Sequence, residues 1–459
     1  MRLNGARPQM SSEQLELPFA ERGETPTGRG SGEAPMATRE LEHSEAEGGL
    51  MERVVERSNL IAALKRVKSN KGSPGIDGMT VGELATYLKE QWGRIGEELL
   101  AGTYQPQRVK RQAIPKPGGG VRELGIPTVL DRFIQQAMLQ VLQADWDRTF
   151  SPCSYGFRPG RSAHQAIRQA QKYVQEGRRW VVDVDLERFF DRVNHDVLMG
   201  RLAKRTNDRR ALGLIRRYLE AGVMANGVVM ERLEGTPQGG PLSPLLANVL
   251  LDEVDKELER RGHAFIRYAD DGNVYVKSRR AGERVMTLLR RLFGALKLRI
   301  NETKSAVDVV WRRKVLGYSF WMAKGSVVKC RVAPQAIKAM KDQVRRITPR
   351  DGGRSMTQVI EDLRQYLPGW RLYYHLADTP HAFSELDEWI RHRLRALQLK
   401  HWKRGPTIYR ELKARGLSET AARRVAANSC HWWRNSDKAI HLALPNRYFD
   451  QLQLPRLGR

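Results

Sequence analysis

Residues 264–277 read A-F-I-R-Y-A-D-D-G-N-V-Y-V-K, and this stretch decides the fold. Two β-favouring runs, residues 265–268 and 273–276, flank Asp270, Asp271 and Gly272, which predicts a tight hairpin with both carboxylates at its tip. Asp and Gly are also the commonest residues of hairpin turns, so the triplet alone indicates no more than a good turn. Adjacent carboxylates repel each other, however, and Mg²⁺ is a cation whose preferred ligands are such oxygens.

A second acidic stretch, residues 180–190, reads W-V-V-D-V-D-L-E-R-F-F. Its β-branched run predicts a strand with Val181, Asp183 and Asp185 on one face, because side chains alternate along a strand. A carboxylate in so apolar a run needs a partner. If this strand lies beside the hairpin, Asp185 joins Asp270, and two separate strands then supply the carboxylates that two-metal phosphoryl transfer requires.

The composition indicates a folded protein with a polyanionic partner. Among 459 residues, 79 Lys and Arg against 52 Asp and Glu give a net charge of +27, with a pI near 10.3, which points to nucleic acid. No run approaches the roughly 18 apolar residues of a spanning helix, and residues 1–20 lack a secretory signal. The three cysteines, Cys153, Cys330 and Cys430, are far apart and indicate neither a zinc site nor disulfides, so we expect a reducing, cytoplasmic setting.

Changes in composition divide the chain into four predicted parts. Residues 1–49 hold five Arg and nine Glu, a net charge of −4, and are typical of a disordered leader. Residues 50–329 mix helical and strand patterns, residues 330–430 predict a helical domain, and residues 431–459 predict a C-terminal tail. The periodicity places the helices of the third part at residues 334–347, 356–375, 382–402 and 407–415.

The region from residue 330 onward is strongly basic. It carries 19 Arg and 6 Lys against 12 acidic residues, together with half of the ten Trp. A basic helical face is more often simply solvated, but this density of Arg, Trp and Tyr favours an RNA partner.

Two loops suit contact with phosphates. Three glycines between Lys116 and Arg122 predict a turn that joins two strands and brings both cations to one side, where backbone N–H groups approach phosphate oxygens. A solvated hairpin with surface cations is the alternative. Residues 154–165, S-Y-G-F-R-P-G-R-S-A-H-Q, interleave Arg158 and Arg161 with aromatic rings, as strand-tracking surfaces do, although the rings could equally belong to the core.

Taken together, these blocks resemble the reverse transcriptase/maturase proteins encoded by group II introns. The resemblance spans roughly residues 50–402 and implies an α/β right-hand polymerase, with fingers and a mostly antiparallel palm sheet, followed by an all-α thumb and maturase domain. Many family members end in an H-N-H endonuclease with paired cysteines. The sequence up to Arg459 does not show this pattern, so we expect no cleavage of a DNA strand by this protein. After the two phosphate loops, the further blocks in family order are Asp185 with Phe190, P-Q-G-G at 237–240, Y-A-D-D at 268–271, L-R-I-N-E-T-K-S at 298–305, V-L-G-Y-S-F at 315–320 and Y-L-P-G-W-R-L-Y-Y at 366–374.

The resemblance also implies roles for individual residues. The carboxylates that would hold two Mg²⁺ and carry catalysis are Asp185, Asp270 and Asp271. The nucleotide pocket would comprise Lys116, Arg122, Phe190, Gln238, Gly239 and Lys304. We predict RNA contacts at Arg158, Arg161, Arg371, Arg391, Arg393 and Arg395. Phe190 would exclude a 2′-hydroxyl, although a core ring is the simplest interpretation of it, and Lys304 could equally be an ordinary surface lysine.

Three functions remain open from the sequence. The first is an RNA-directed DNA polymerase that binds its group II intron RNA, assists splicing and supports retrotransposition. The others are a splicing factor alone and a free-standing reverse transcriptase in repair or defence. The intact carboxylates favour polymerisation, because an inactive site has no reason to keep their repulsion. The expected partners are intron RNA, an RNA template with a DNA primer, and dNTPs, with no membrane; whether the protein forms a homodimer stays open.

Overall fold

The computed structural model describes residues 49–115, 121–225, 228–230, 234–235, 239–436 and 440–458. The predicted leader, apart from Gly49, lies outside these residues, as do Lys116 and Gln238 of the predicted nucleotide pocket. For Arg122 only the backbone is described.

Within the part of the chain that the structure describes, the strands form three sheets. Their order is β2-β1-β4-β5 in the first sheet, β6-β7-β3-β8 in the central sheet and β10-β9 in a two-stranded sheet. All pairs of the central sheet are antiparallel. The strands are β1 (Val109–Pro115), β2 (Val121–Ile126), β3 (Trp180–Val184), β4 (Val223–Ala225), β5 (Val228–Met230), β6 (Ala264–Tyr268), β7 (Asp271–Val276), β8 (Ala306–Val309), β9 (Tyr318–Met322) and β10 (Val328–Val332).

Helices cover the sheets and form the C-terminal region. In chain order they are α1 (Leu50–Val54), α2 (Arg57–Ser69), α3 (Leu84–Ala101), α4 (Val129–Trp146), α5 (Ala163–Gln175), α6 (His195–Leu202), α7 (Arg209–Glu220), α8 (Ser243–Arg260), α9 (Arg279–Ala295), α10 (Pro334–Ile347), α11 (Met356–Tyr373), α12 (Pro380–Trp402), α13 (Gly405–Ala414), α14 (Glu419–Ala427), α15 (Trp432–Asn435), α16 (Ile440–Ala443) and α17 (Asn446–Gln451). Among the helices described, none has the length and apolarity that crossing a membrane demands.

The central sheet separates two hydrophobic cores because its strands alternate apolar side chains between their faces. Val182 and Val184 of β3 enter the core shared with α8 and α9. Val181 enters the second core, which continues through β9 and β10 into the helices that follow them. The sheet is therefore buried on both of its faces.

Two predicted elements differ from the structure. The spacing of apolar residues over residues 188–204 predicts one continuous helix, but in the structure a short 3₁₀ turn (Phe189–Asp191) precedes α6. Asn194 caps α6 by accepting a hydrogen bond from the N–H of Val197, and this cap, typical of Asn, sets the later start of the helix. The turn leaves Phe190 only partly buried, packed against the edge of the first core.

The segment predicted as a C-terminal tail is part of the helical region. Phe449 and Leu457 are fully buried in the second core. Asp387 of α12 accepts hydrogen bonds of 3.0 Å from the N–H groups of Leu457 and Gly458. Residues 440–458 therefore help to hold α11 and α12 together.

Candidate active site

The register of the central sheet brings the two acidic stretches together. β3 pairs with β7, with Asp183 opposite Asn273 and Val184 opposite Gly272. Asp185 follows the last paired residue of β3, so it lies beside Asp271, the first residue of β7. The meeting of strand and hairpin that the sequence predicted is thus present in the structure.

The hairpin turn is tighter than the sequence suggested. Tyr268 pairs with Asp271, so the turn consists of Ala269 and Asp270 alone, and Asp271 with Gly272 belongs to the strand. Ala269 has a φ of 59°, a left-handed conformation that costs a non-glycine residue free energy. Strain of this kind persists only where the surroundings hold the backbone in place.

Arg267 supplies that restraint from within the core. Its guanidinium donates to both carboxylate oxygens of Asp255 at 2.6–2.9 Å, to Asn248 Oδ1 at 2.9 Å and to the carbonyl of Ala269 at 2.9 Å. Burial raises the pKa of Asp255, an effect that the charge of Arg267 opposes. Asn248 in turn donates to the carbonyl of Gly156, which lies against the turn. Arg267 was not among the predicted site residues, although an Arg within an apolar strand is a recognisable signal of a buried partner.

One cavity of about 660 Å³ collects the acidic residues with basic ones. Asp183, Asp185, Asp271 and Lys304 all line it. The Lys304 Nζ lies 3.4 Å from Asp185 Oδ2, so this lysine faces the carboxylates and is not simply a surface residue. Ser305, also missed from the sequence, binds the Asp185 backbone, accepting from its N–H at 3.0 Å.

The pKa of Asp271 reflects its loss of hydration and the negative charges of the carboxylates around it. Its side chain is open to the cleft, but surrounding protein removes part of its hydration. This loss of hydration, together with the charges of Asp270, Asp185 and Asp183, raises the pKa of Asp271 to about 6. The carboxylates therefore stand close enough to repel one another.

The donor set suits a hard divalent cation, but the expected three-carboxylate cluster is not formed. Among the residues that the structure describes, no three His, Cys, Asp or Glu side chains are arranged to hold a metal ion. Oxygen ligands from Asp185 and Asp271 in one cavity still fit Mg²⁺, which uses few protein carboxylates and keeps water and phosphate ligands.

Asp271→Asn should stabilise the metal-free protein at neutral pH. A pKa raised to about 6 from 3.8 means that the folded state favours the protonated form, so stability is lost as the pH rises from about 4 through 6. Solvent screening reduces the effect, and we expect the unfolding midpoint in EDTA at pH 7.5 to rise by about 1–2 °C. The gain should vanish near pH 4.5; a variant that is less stable at pH 7.5 would contradict the repulsion.

A second cavity, of about 520 Å³, contains part of the predicted nucleotide pocket. Phe190 and Gly239 line it together, with Leu124 and Arg132. Gly239 has a φ of 145°, and a side chain there would collide with the carbonyl of Gly125, so the position requires glycine. Lys304 lines the other cavity, and the backbone of Arg122 lies in β2 opposite Ile114.

The structure contradicts the prediction of an RNA contact at Arg158. This guanidinium is buried and fully engaged within the protein. It donates to Asp147 Oδ1 at 2.8 Å and to the carbonyls of Ser151 and Ser154 at 2.6 and 3.0 Å. Arg158 therefore holds the loop that abuts the hairpin turn. Arg161, by contrast, is exposed, 5.7 Å from the centre of the Tyr155 ring.

Arg391 and Arg395 were also wrongly predicted to contact RNA. Both are buried in α12. Arg391 lies 3.2 Å from Asp387 and 3.4 Å from Asp450. Arg395 donates to the carbonyl of Leu444 at 2.9 Å and to Asn446 Oδ1 at 2.9 Å. These cations bind the C-terminal segment, and their positive charge is not available to a nucleic acid.

Arg371 and Arg393 are half-buried and also bond within the protein. Arg371 donates to the carbonyl of Leu457 at 2.7 Å. Arg393 donates to Thr348 Oγ1 at 3.0 Å. Burial, followed by the positive charges of Arg350 and Arg345, lowers the pKa of Arg393, so this side chain lies in a positively charged neighbourhood.

Two family models match the chain. Residues 114–320 match the model of the reverse transcriptase (RNA-dependent DNA polymerase), and residues 337–416 match that of the group II intron, maturase-specific domain. The expected family, fold class and RNA-directed DNA polymerase domain are confirmed.

Relatives of known name support the same assignment. Protein YkfC of Escherichia coli (strain K12) is 34% identical over 300 residues, which cover 56% of this chain and 79% of the relative. The group II intron-encoded protein LtrA of Lactococcus lactis subsp. cremoris is 37% identical over 195 residues, 42% of this chain and 32% of LtrA. A putative COX1/OXI3 intron 2 protein of Saccharomyces cerevisiae is 33% identical over 206 residues, 44% of this chain and 24% of that protein. The matched part is thus a third or less of the last two.

Proposed function

The chain belongs to the family of group II intron-encoded reverse transcriptase/maturase proteins, and on this premise we propose that it copies RNA into DNA at the cavity lined by Asp185 and Asp271. The supporting observation is the register that sets Asp185 of one strand beside the first residue of the hairpin's second strand. Splicing assistance and mobility of its intron in a bacterial cytoplasm complete the proposal.

Asp185, Asp270 and Asp271 are the proposed ligands of two Mg²⁺. When bound, these ions supply charge stabilisation to the attacking 3′-hydroxyl and the departing pyrophosphate. Phe190 would face the sugar of the incoming dNTP and disfavour a 2′-hydroxyl, and Gly239 would let the nucleotide approach the backbone. The remaining proposed nucleotide contacts are Lys116, Arg122, Gln238 and Lys304.

Primer extension on an RNA template tests this proposal. With a DNA primer, dNTPs and Mg²⁺, the purified protein should make full-length complementary DNA, and ribonucleotides should support little synthesis. A protein that binds the primer–template but adds no nucleotide, in Mg²⁺ or Mn²⁺, would contradict it and leave the splicing factor.

The proposed intron RNA surface lies on α10. Lys338, Lys341 and Arg345 recur at helical spacing on one face of this helix. Lys341 and Arg345 lie 5.4 and 5.6 Å from the centre of the Trp389 ring. Cations beside an aromatic ring suit phosphates and unstacked bases of RNA. This face takes the place of the buried Arg391 and Arg395.

Replacing Lys338, Lys341 and Arg345 together by Gln should weaken intron RNA binding. The logarithm of the binding constant falls linearly with the logarithm of the salt concentration, and each lost phosphate contact makes this slope less steep by about 1. We therefore expect the slope to become less steep by about 2–3. Filter binding from 50 to 300 mM KCl measures the slope, and the unfolding midpoint verifies the fold.

The matched control removes three charges elsewhere. Arg280, Arg284 and Arg291 are exposed and share one face of α9. Their replacement by Gln lowers the net charge equally and should leave the slope nearly unchanged. Equal losses in both triple variants would mean general charge attraction without a binding surface on α10.

A further inference from the structure

A chain of polar contacts runs beneath the carboxylate of Asp185. Asp183 Oδ2 accepts two hydrogen bonds from Arg313, from Nε at 2.9 Å and from Nη2 at 2.6 Å. Asp183 Oδ1 accepts one from Asn273 Nδ2 at 3.0 Å. Both oxygens of Asp183 are thus engaged by the protein. Although its spacing in the sequence makes Asp183 look like a further ligand, its carboxylate is committed to Arg313.

Arg313 also holds the backbone of Lys304. The same Nη2 donates to the Lys304 carbonyl at 2.6 Å. One guanidinium nitrogen carries two hydrogens, so it can bridge a carboxylate and a carbonyl at fixed angles, which an ammonium on a flexible stem does less well. The central sheet is therefore linked to the loop that presents Lys304.

Lys304 depends on such support because little packs around it. Its side chain is 64% exposed, whereas those of Arg313 and Asp183 are only 26% and 22% exposed. An exposed ion pair contributes little by itself, since the two side chains lose conformational freedom in forming it. The 3.4 Å approach of the Lys304 ammonium to Asp185 thus relies on where the backbone of residue 304 is held.

We propose that Asp183 and Arg313 are positioning residues that fix the Lys304 backbone and so hold the Lys304 ammonium against the Asp185 carboxylate. The inference rests on the proposed function of this cavity and adds how its lysine is aimed. Arg313 also lines this cavity, and its proposed role is to act through the position of Lys304.

A double-mutant cycle tests this dependence. Single-turnover incorporation of one dNTP is measured for Arg313→Met, Lys304→Ala and the double variant, each with the dNTP concentration for half-maximal rate. Misplacing a catalytic group typically lowers the reaction rate on the order of tenfold or more. We therefore expect Arg313→Met to lower the maximal rate of single-turnover incorporation by about that factor. When Lys304 is already replaced by Ala, Arg313→Met should lower the maximal rate by less than about twofold, because the side chain that it positions is absent.

The outcomes separate positioning from a general structural role. The proposal would be overturned if Arg313→Met lowered the maximal rate equally with and without Lys304. It would also be overturned if Arg313→Met changed only the dNTP concentration for half-maximal rate. Arg313→Lys keeps the charge beside Asp183 but cannot bridge as well, so it should fold normally and retain part of the defect. Arg312→Gln, which removes a charge 3.9 Å from Asp308 without reaching Asp183 or Lys304, should show no coupling to Lys304→Ala.

A second measurement needs no catalysis. Acetylation of Lys304 in the metal-free protein, followed by mass spectrometry, should speed up about twofold or more in Arg313→Met, as it should in Asp185→Asn. An unchanged labelling rate in Arg313→Met alongside a faster one in Asp185→Asn would show that Lys304 is held without Arg313. Failure of the wild-type protein to extend any primer would instead count against the proposed function.

Discussion

Primer extension should fall by at least about a thousandfold when Asp185 is replaced by asparagine. Asparagine has nearly the same shape and keeps the backbone N–H that donates to Ser305 Oγ at 3.0 Å. It lacks the negative charge that would bind Mg²⁺ and that now pairs with Lys304. Loss of about 4 kcal/mol of transition-state stabilisation corresponds to three decades in rate.

Asp308→Asn is the matched control for this substitution. Asp308 lies on β8, which pairs with β3, and its carboxylate accepts from the N–H of Val309 at 2.7 Å. The substitution Asp308→Asn makes the same chemical change on the same sheet, but Asp308 is not among the residues that line the cavity. Its rate should stay within about threefold of wild type. Comparable losses in both variants would attribute the effect to the sheet and not to the carboxylate at its end.

The largest loss of stability should come from Arg267→Ala. Removing the guanidinium leaves Asp255, buried within α8, without its partner and frees the carbonyl of Ala269 in the strained turn. Breaking a buried pair in this way costs about 3–5 kcal/mol, so we expect a clearly lower urea midpoint and loss of primer extension. Arg260→Ala, which removes an exposed arginine paired with Glu257 on α8, should leave the midpoint unchanged.

The double variant Arg267→Met with Asp255→Met separates the causes. It removes the unpaired charge, so the stability should recover by several kcal/mol relative to Arg267→Ala. The hydrogen bonds to Asn248 and Ala269 stay lost, so primer extension should recover less than stability does. A double variant as unstable as Arg267→Ala would show that the buried charge is not the cause.

The parts of the site that follow from strand periodicity could be predicted. Alternation along β3 put Asp183 and Asp185 on one face, and the structure keeps Val181 on that face and Val182 on the other. The hairpin was also recognisable, but its exact turn was not, because Asp-Asp-Gly suits a turn at either of two registers. Pairing of Tyr268 with Asp271 decides it.

Partners distant in the sequence could not be predicted. Arg267 and Asp255, or Arg313 and Asp183, meet only because helices and strands pack in three dimensions. Net charge counts the cations but does not say which of them the protein neutralises internally. That is why buried arginines were included among the RNA contacts.

In α12, helical spacing indicates which arginines are buried. Arg391 and Arg395 are four residues apart and share a face with buried Ile390 and Leu394. Arg393, two residues from each, lies on a different face and is half-buried, where it bonds to Thr348. Proximity in the sequence therefore does not place these three arginines on one face of α12, whereas Lys338, Lys341 and Arg345 share one face of α10.

Iron-directed cleavage tests most directly whether carboxylates from two strands share divalent ions. With Fe²⁺ in place of Mg²⁺, ascorbate and peroxide generate hydroxyl radicals at the bound ion, which cut the nearby backbone. The account predicts cuts in both residues 183–187 and residues 268–273, suppressed by excess Mg²⁺ and lost in Asp185→Asn. Cuts at only one of these segments, or cuts that persist in Asp185→Asn, would contradict a shared site.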